Sequence, residues 1–312
     1  MVTVGTRRAD TRVRAAGRVS ARVPAPLLVV TAVVSVQFGG ALAATLIPLV
    51  GAVASVGLRL VFSAAVLLVV ARPALGGRTR TDWLTVAAFG AVLASMNLCF
   101  YGAIARLPIG VAVTIEFVGP LLLATGLSRR PRDFVAVAGA AIGVVAISGA
   151  LSTPWSRLDL VGLGLALAAG ACWAAYIVMS GRTGARFAQL DGLAIAMTLS
   201  AAVVGPLALL SGGAALGRFD TLWRGFGIAV LSSAVPYALE LVALRRLSAQ
   251  VFGILLSLEP AVAALAGLLV LGQRLGRVEL AGMACVVAAS AMVLGARRAP
   301  VRPARPAVAD PC

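Results

Sequence analysis

Asn97-Leu98-Cys99-Phe100-Tyr101-Gly102-Ala103-Ile104-Ala105-Arg106-Leu107-Pro108-Ile109-Gly110-Val111-Ala112-Val113-Thr114-Ile115-Glu116-Phe117-Val118-Gly119-Pro120 is the stretch that decides the fold. Two apolar runs meet there at a short charged join, Arg106-Leu107-Pro108. Followed outward, each run extends for about 20 residues, the length of helix that crosses ~30 Å of hydrocarbon. A soluble domain has too little interior for such segments in series.

The same pattern holds along the chain. Apolar stretches fall at 26–46, 49–71, 83–104, 107–127 and 133–150, then at 159–180, 189–210, 225–244, 249–271 and 277–296. Turn and charge signals separate them: Pro48, Arg72-Pro73, Arg129-Arg130-Pro131, Pro154 and Gly212-Gly213. Lipid offers no hydrogen bonds to an open sheet edge, so the spans are helices. They lack the alternating polar residues of a β-barrel. Composition agrees, with 61% of residues hydrophobic and 12% charged, against roughly half and a quarter in soluble domains. The expected fold class is all-α integral membrane, with ten transmembrane helices.

Net charge is +16, carried by 27 basic residues that are all arginine. Such charge can signal nucleic acid, but here it lies between apolar runs, as in membrane-flanking loops. Nucleic acid is therefore not an expected partner; the lipid bilayer is. With the N-terminus inside, the cytoplasmic segments hold 20 arginines and the opposite side six, with Arg59 within a helix. The positive-inside rule then places both termini in the cytoplasm of a multi-pass protein of the cell (inner) membrane. Residues 1–24 read as an Arg-rich cytoplasmic tail and 297–312 as a Pro/Arg tail. Ala41-Leu42-Ala43-Ala44 resembles a signal cleavage site, but the run containing it is long enough to span and the topology requires that span.

The chain also repeats. Ala103-Ile104-Ala105-Arg106-Leu107 recurs as Ala243-Leu244-Arg245-Arg246-Leu247, 140 residues on, and the same offset carries Pro120 to Pro260. Five spans per half, 26–150 and 159–296, make the halves inverted relative to each other. Inverted repeats with a site near the midplane are a transporter architecture.

Within the spans, the informative residues are those costly to bury. A charge at a helix centre costs at least ~2.5 kcal/mol on insertion scales, so it needs a partner, water or a role. Glu116 lies mid-span, and Pro120 cannot donate to its carbonyl, which predicts a kink beside the carboxyl. It reads either as a substrate-amine or proton site, or as the partner of Arg59. Arg59, flanked by Ser55 and Ser63, could grip a substrate carboxylate or lock onto another helix. Asn97 with Tyr101, Ser233 with Tyr237 and Glu240, and Trp173 with Tyr176 form polar strips at helical spacing. They line a wet cavity or join helices by hydrogen bonds. Glu240 can also snorkel toward Arg245, and Glu259 precedes the second kink proline, Pro260. Gly139-Ala140-Ala141-Ile142-Gly143 is a small-residue packing motif, within one chain or between the subunits of a homodimer. Cys99, Cys172 and Cys285 read as buried small hydrophobes, and Cys312 ends the chain. Nothing in the residue set calls for a metal or another cofactor.

The stretch quoted above resembles the EamA-type drug/metabolite transporters, in particular the threonine and homoserine exporter group. Cys172-Trp173-Ala174-Ala175-Tyr176-Ile177, Leu239-Glu240-Leu241-Val242-Ala243-Leu244 and Ser257-Leu258-Glu259-Pro260-Ala261-Val262-Ala263-Ala264-Leu265-Ala266-Gly267 carry the likeness into the second half. The resemblance implies two EamA repeats around a central cavity. It also implies export of amino acids or related small metabolites; alternating access is the expected mechanism, and protons, for which Glu116 is the candidate site, are the expected coupling ion. Relatives often have Leu-Gly-Glu where this chain has Leu271-Gly272-Gln273. Other solutes (drugs, nucleotide-sugars, phosphorylated metabolites) are the alternative. A phosphate site would want several basic residues in spans, and Arg59 stands alone. A membrane-embedded enzyme is disfavoured, because the chain has neither His nor Lys and no paired Asp in its spans.

Overall fold

The computed structural model describes residues 23–126, 131–147, 159–187, 190–244, 246–247 and 255–295, and regular structure there is entirely helical. The tails, Arg129, Arg130, Pro154, Arg157, Arg245 and Cys312 lie outside the described residues.

Helix α1 spans Ala25–Val50 and α2 spans Ala52–Ala71. Pro48 does not end α1, because in a last turn it removes a single hydrogen bond. The stop is Gly51, whose φ of 82° lets one residue reverse the chain into α2. Helix α3, Arg80–Ile104, begins three residues before its apolar run, because Thr79 and Asp82 form a reciprocal capping box. The next run is two helices, α4 at Ile109–Glu116 and α5 at Val118–Gly126. Helix α6 is Pro131–Ile147 and α7 is Leu160–Gly184, the latter capped by Asp159 through the Gly162 N–H. Helix α8, Asp191–Gly212, runs through a 3₁₀ turn into α9, Phe219–Ala229. A π turn at Val230–Ala234 joins α9 to α10, Val235–Leu244. Helix α11 is Glu259–Leu271 and α12 is Arg277–Gly295.

Among the described residues, five helices are long and apolar enough to cross a membrane: α1, α2, α3, α7 and the unit Asp191–Gly217. Shorter apolar helices cover Ile109–Leu123, Val137–Ala146 and Glu259–Leu271. Leu209 and Leu210 are 75% and 85% exposed, and Val69 and Leu269 are similarly bare. Apolar surface on this scale suits lipid rather than water. Cys285 is exposed as well, and Cys99 and Cys172 are half-buried, so the expected burial of the cysteines does not hold. In lipid an apolar thiol gains little by facing inward, because the acyl chains are as apolar as the protein interior.

Small residues set the packing. Helix α2 lies along α8, α6 along α12, and α3 along α7 and α8. Helix α1 is covered by α9, α10 and α11, while α4 packs on α7 and α11. Gly143 of the small-residue motif abuts the Gly282 carbonyl of α12, so it packs within the chain; Gly139 meets nothing within 4 Å. The closest approach is α5 on α7, where Gly119 faces the backbone of Gly170, and Gly170 in turn faces the Glu116 carbonyl.

Candidate functional site

Three prolines open the helices around the buried charges. Proline has no N–H, so the carbonyl four residues upstream loses its helical donor. Pro120 thereby frees the carbonyl of Glu116, and the helix breaks at Phe117. Pro260 follows a turn at Ser257-Leu258, so Glu259 opens a new helix rather than sitting within a kinked one. The two breaks, Phe117 and Ser257, are 140 positions apart, the offset of the sequence repeat. Pro236 frees the carbonyl of Ser232 inside the π turn. Such turns recur at functional sites, because they present backbone groups a straight helix hides.

Neighbouring side chains meet those opened carbonyls. Arg59, 6% exposed, donates from Nη2 to the Ser232 carbonyl at 2.8 Å and from Nε to the Ser233 hydroxyl at 3.0 Å. Ser35 donates to the Leu231 carbonyl at 2.6 Å, and Ser63 to that of Ala229 at 3.5 Å. Ser55 turns back to the Gly51 carbonyl of its own chain turn. The guanidinium also lies 5.7 Å from the centre of the Tyr101 ring, within cation–π range. The Tyr101 hydroxyl is near Arg59 and Ser232, yet it is buried without a hydrogen bond of acceptable geometry.

Glu116 is buried beside this cluster. Its charge and that of Arg59 interact, but the two form no ion pair. Among the described residues the ion pairs are Arg78–Asp191, Arg106–Asp159, Arg186–Asp82 and Arg224–Asp220. The Arg59–Glu116 lock that the sequence leaves open is thus absent, because the π turn supplies closer acceptors. Glu259 accepts a 3.4 Å hydrogen bond from Gln37 of α1. Asn97 is buried, and its amide donates at 2.8 Å to the Leu93 carbonyl of its own helix.

The remaining candidates gather at one end of the bundle. Tyr176 stacks on Tyr237 with ring centres 6.3 Å apart and leans on Phe89 at 5.5 Å. These rings and Glu240 line a cavity of ≈ 90 Å³. Tyr237 also lies near Arg59, so it stands between the cavity and the buried cluster. Glu240 lines this cavity rather than the interface; the alternative partner Arg245 is outside the described residues. At the cavity mouth Arg78 pairs with Asp191 at 3.6 Å and covers Phe187 at 4.5 Å, while Arg186 pairs with Asp82 at 3.0 Å. The far end carries other contacts. Gln273 accepts the Ile109 N–H at 3.1 Å, and Asp159 meets Arg106 at 3.3 Å. The Asp159 carboxyl is held below its usual range, first by the Gly162 N–H and then by Arg106.

Sequence comparison places this geometry. The threonine/homoserine exporter RhtA of Escherichia coli K12 is 39% identical over 264 residues, covering 85% of this chain and 89% of that protein. The RhtA of Salmonella typhimurium LT2 is 38% identical over the same length. The profile of the EamA-like transporter family matches residues 160–295. The chain belongs to the EamA-like transporter family. It is a multi-pass membrane protein and a small-metabolite exporter, not an enzyme. One crystal structure of a protein shares the fold, with a TM-score of 0.63 at 19% identity, covering 88% of this chain and 98% of that one.

In this EamA-like transporter the matched segment holds Tyr176, Tyr237, Glu240 and Glu259, whereas Arg59, Asn97, Tyr101 and Glu116 precede it. Sequence reasoning missed Gln37, Ser35 and the Ser232 carbonyl. Only the last had a signal, the spacing Ser232-x-x-x-Pro236, which carries the same logic as Glu116-x-x-x-Pro120.

Proposed function

We propose that this chain is a secondary transporter exporting amino acids such as threonine or homoserine, by alternating access, from the cytoplasm across the inner membrane. Its ten spans form two inverted repeats, 26–150 and 159–296, with both termini cytoplasmic. Packing supports the repeats: exchanging the halves turns each major contact into another. Helix α3 on α7 and α8 exchanges with α9–α10 on α1 and α2, and α4–α5 on α7 exchanges with α11 on α1. The pairs α2–α8, α6–α12 and α4–α11 exchange with themselves. Paired helix breaks at equivalent positions are the pointer to a substrate site in such folds.

The observation that carries the substrate reading is the separation of opposite charges. Arg59 uses Nε and Nη2 on the π turn, which leaves Nη1 for a carboxylate. Glu116 shares the buried space with no hydrogen-bonding partner among the described residues and offers its carboxylate to an ammonium. A zwitterion completes both, whereas an anion or a cation alone completes one. Glu116 is also the group that exchanges a proton for the substrate amine during the cycle. The RhtA relatives, named threonine/homoserine exporters, agree with this class.

The test is threonine flux in liposomes under an imposed pH gradient, with equal protein inserted. Glu116→Gln keeps the shape but fixes the charge at zero, so gradient-driven flux is lost. N-acetylthreonine, lacking the ammonium, is not carried by the wild type. Wild-type rate and pH dependence in Glu116→Gln would overturn the role of Glu116, and equal flux of N-acetylthreonine would overturn the zwitterion site.

A further inference from the structure

The cavity beyond Tyr237 is chemically unlike the Arg59–Glu116 centre. We infer that it is a second binding site, selective for organic ammonium groups, where solute is held before it reaches the centre. This rests on the transport reading above and extends it to a separate set of residues.

The walls argue for a cation. Phe89, Tyr176 and Tyr237 form a continuous aromatic surface, and Glu240 adds a carboxylate with no hydrogen-bonding partner among the described residues. Ring faces and a carboxylate attract ammonium together, the first through the quadrupole and the second through charge. Among the described residues no arginine lines the cavity. The arginines at its mouth are answered by carboxylates, Arg78 by Asp191 and Arg186 by Asp82. Among these residues nothing would compensate Glu240 against an anion.

The second observation is a stranded polar atom. Thr183 lines the cavity and is 3% exposed, yet its Oγ has no hydrogen-bond partner. A buried hydroxyl without a partner costs free energy, and a turn of the Thr183 side chain toward a ligand N–H would remove that cost. An apolar solute would leave both Thr183 and Glu240 unanswered. Ser180 provides a further hydroxyl on the same helix, one turn before Thr183. The ≈ 90 Å³ volume has room for several waters or one small primary ammonium.

The experiment is calorimetric binding of n-butylammonium to the full chain in lipid nanodiscs, with butyrate as competitor. Wild type binds n-butylammonium and butyrate does not displace it. Glu240→Gln and Tyr176→Leu each weaken binding roughly tenfold or more, while Tyr176→Phe retains it. Thr183→Val weakens it less. Unchanged affinity in folded Glu240→Gln, or equal displacement by butyrate, overturns the proposal. If either variant fails to insert, the Tyr176→Phe and Thr183→Val pair decides, and equal affinities in those two and the wild type overturn it. Threonine flux in the same preparation separates the two proposals. Flux without ammonium binding removes this site and leaves the transport reading, and binding without flux does the reverse.

Discussion

The Arg59–Ser233 hydrogen bond offers a measurement that the net stability of either single variant does not. Arg59→Met abandons two hydrogen bonds, but it also relieves the desolvation of a buried guanidinium that lacks an ion pair. Those effects oppose each other, and replacing a buried charge with a well-packed apolar chain can even stabilise. The coupling between the partners isolates the bond itself. Hydrogen bonds to charged groups contribute about 1.5–3 kcal/mol in soluble proteins, whereas interhelical ones in membranes average about 0.6 and reach about 1.7. A charged donor at 3.0 Å with both partners buried belongs near the upper membrane value. The double-mutant cycle of Arg59→Met and Ser233→Ala is therefore expected to show about 1–1.5 kcal/mol of coupling. The assay is equilibrium unfolding from lipid–detergent micelles into increasing SDS. Ser63 provides a comparison, because its hydroxyl goes to the Ala229 carbonyl and not to Arg59; as a neighbour on the same helix it is expected to couple to Arg59 more weakly than Ser233 does, with about 0.5 kcal/mol as the margin for additivity. Additive losses for Arg59 and Ser233, within that same margin, would refute the contact and the account of the π turn built on it.

Three other outcomes are expected. Gly170→Ala forces a Cβ against the Glu116 carbonyl at 2.5 Å; it lowers stability by about 1–3 kcal/mol in the SDS titration, while Gly164→Ala, with open space around it, does not. Asp159 has a folded pKa below its unfolded value near ~3.9. Its contribution is present above that value and is lost as pH falls through the lower folded one. Thermal melts from pH 6 to 3 therefore show a steeper loss in wild type than in Asp159→Asn, and identical slopes would deny the shift. A phosphatase fused to the C-terminus stays inactive and a cytoplasmic fluorescent reporter glows; active phosphatase would reverse the orientation.

What was legible in the sequence follows from which interactions are local. Each apolar run is a property of consecutive residues, and so are the joins, the arginine bias and the prolines. The helices accordingly fall where the runs are, with ends displaced by local chemistry: Gly51 rather than Pro48 ends α1, and the Thr79–Asp82 box starts α3 early. Partners are not local. Arg59 and Ser233 are separated by 174 positions and Gln37 and Glu259 by 222, so no spacing rule connects them. Asn97 shows the opposite limit. Its position on the strip with Tyr101 was readable, but the hydrogen bond back to Leu93 depends on a rotamer, which the sequence does not state.

The opened carbonyls explain why the polar groups converge where they do. Non-helical backbone at membrane depth is tolerated only when protein or a watered cavity satisfies it. Pro120 and Pro260 place such backbone 140 positions apart, and Pro236 adds a third opening. The third opening takes its donor from the first half, as Arg59 reaches Ser232 and Ser233 across the chain. The first opening instead presses the Glu116 backbone onto Gly170 of the second half. Both charges that define the centre thus belong to the first half, and both are positioned by the second. If the second half moves against the first, Arg59 loses its acceptors at Ser232 and Ser233 and the Glu116 backbone loses its seat on Gly170, although the two charges stay on one half. Because no ion pair joins them among the described residues, both remain available to a solute in either arrangement.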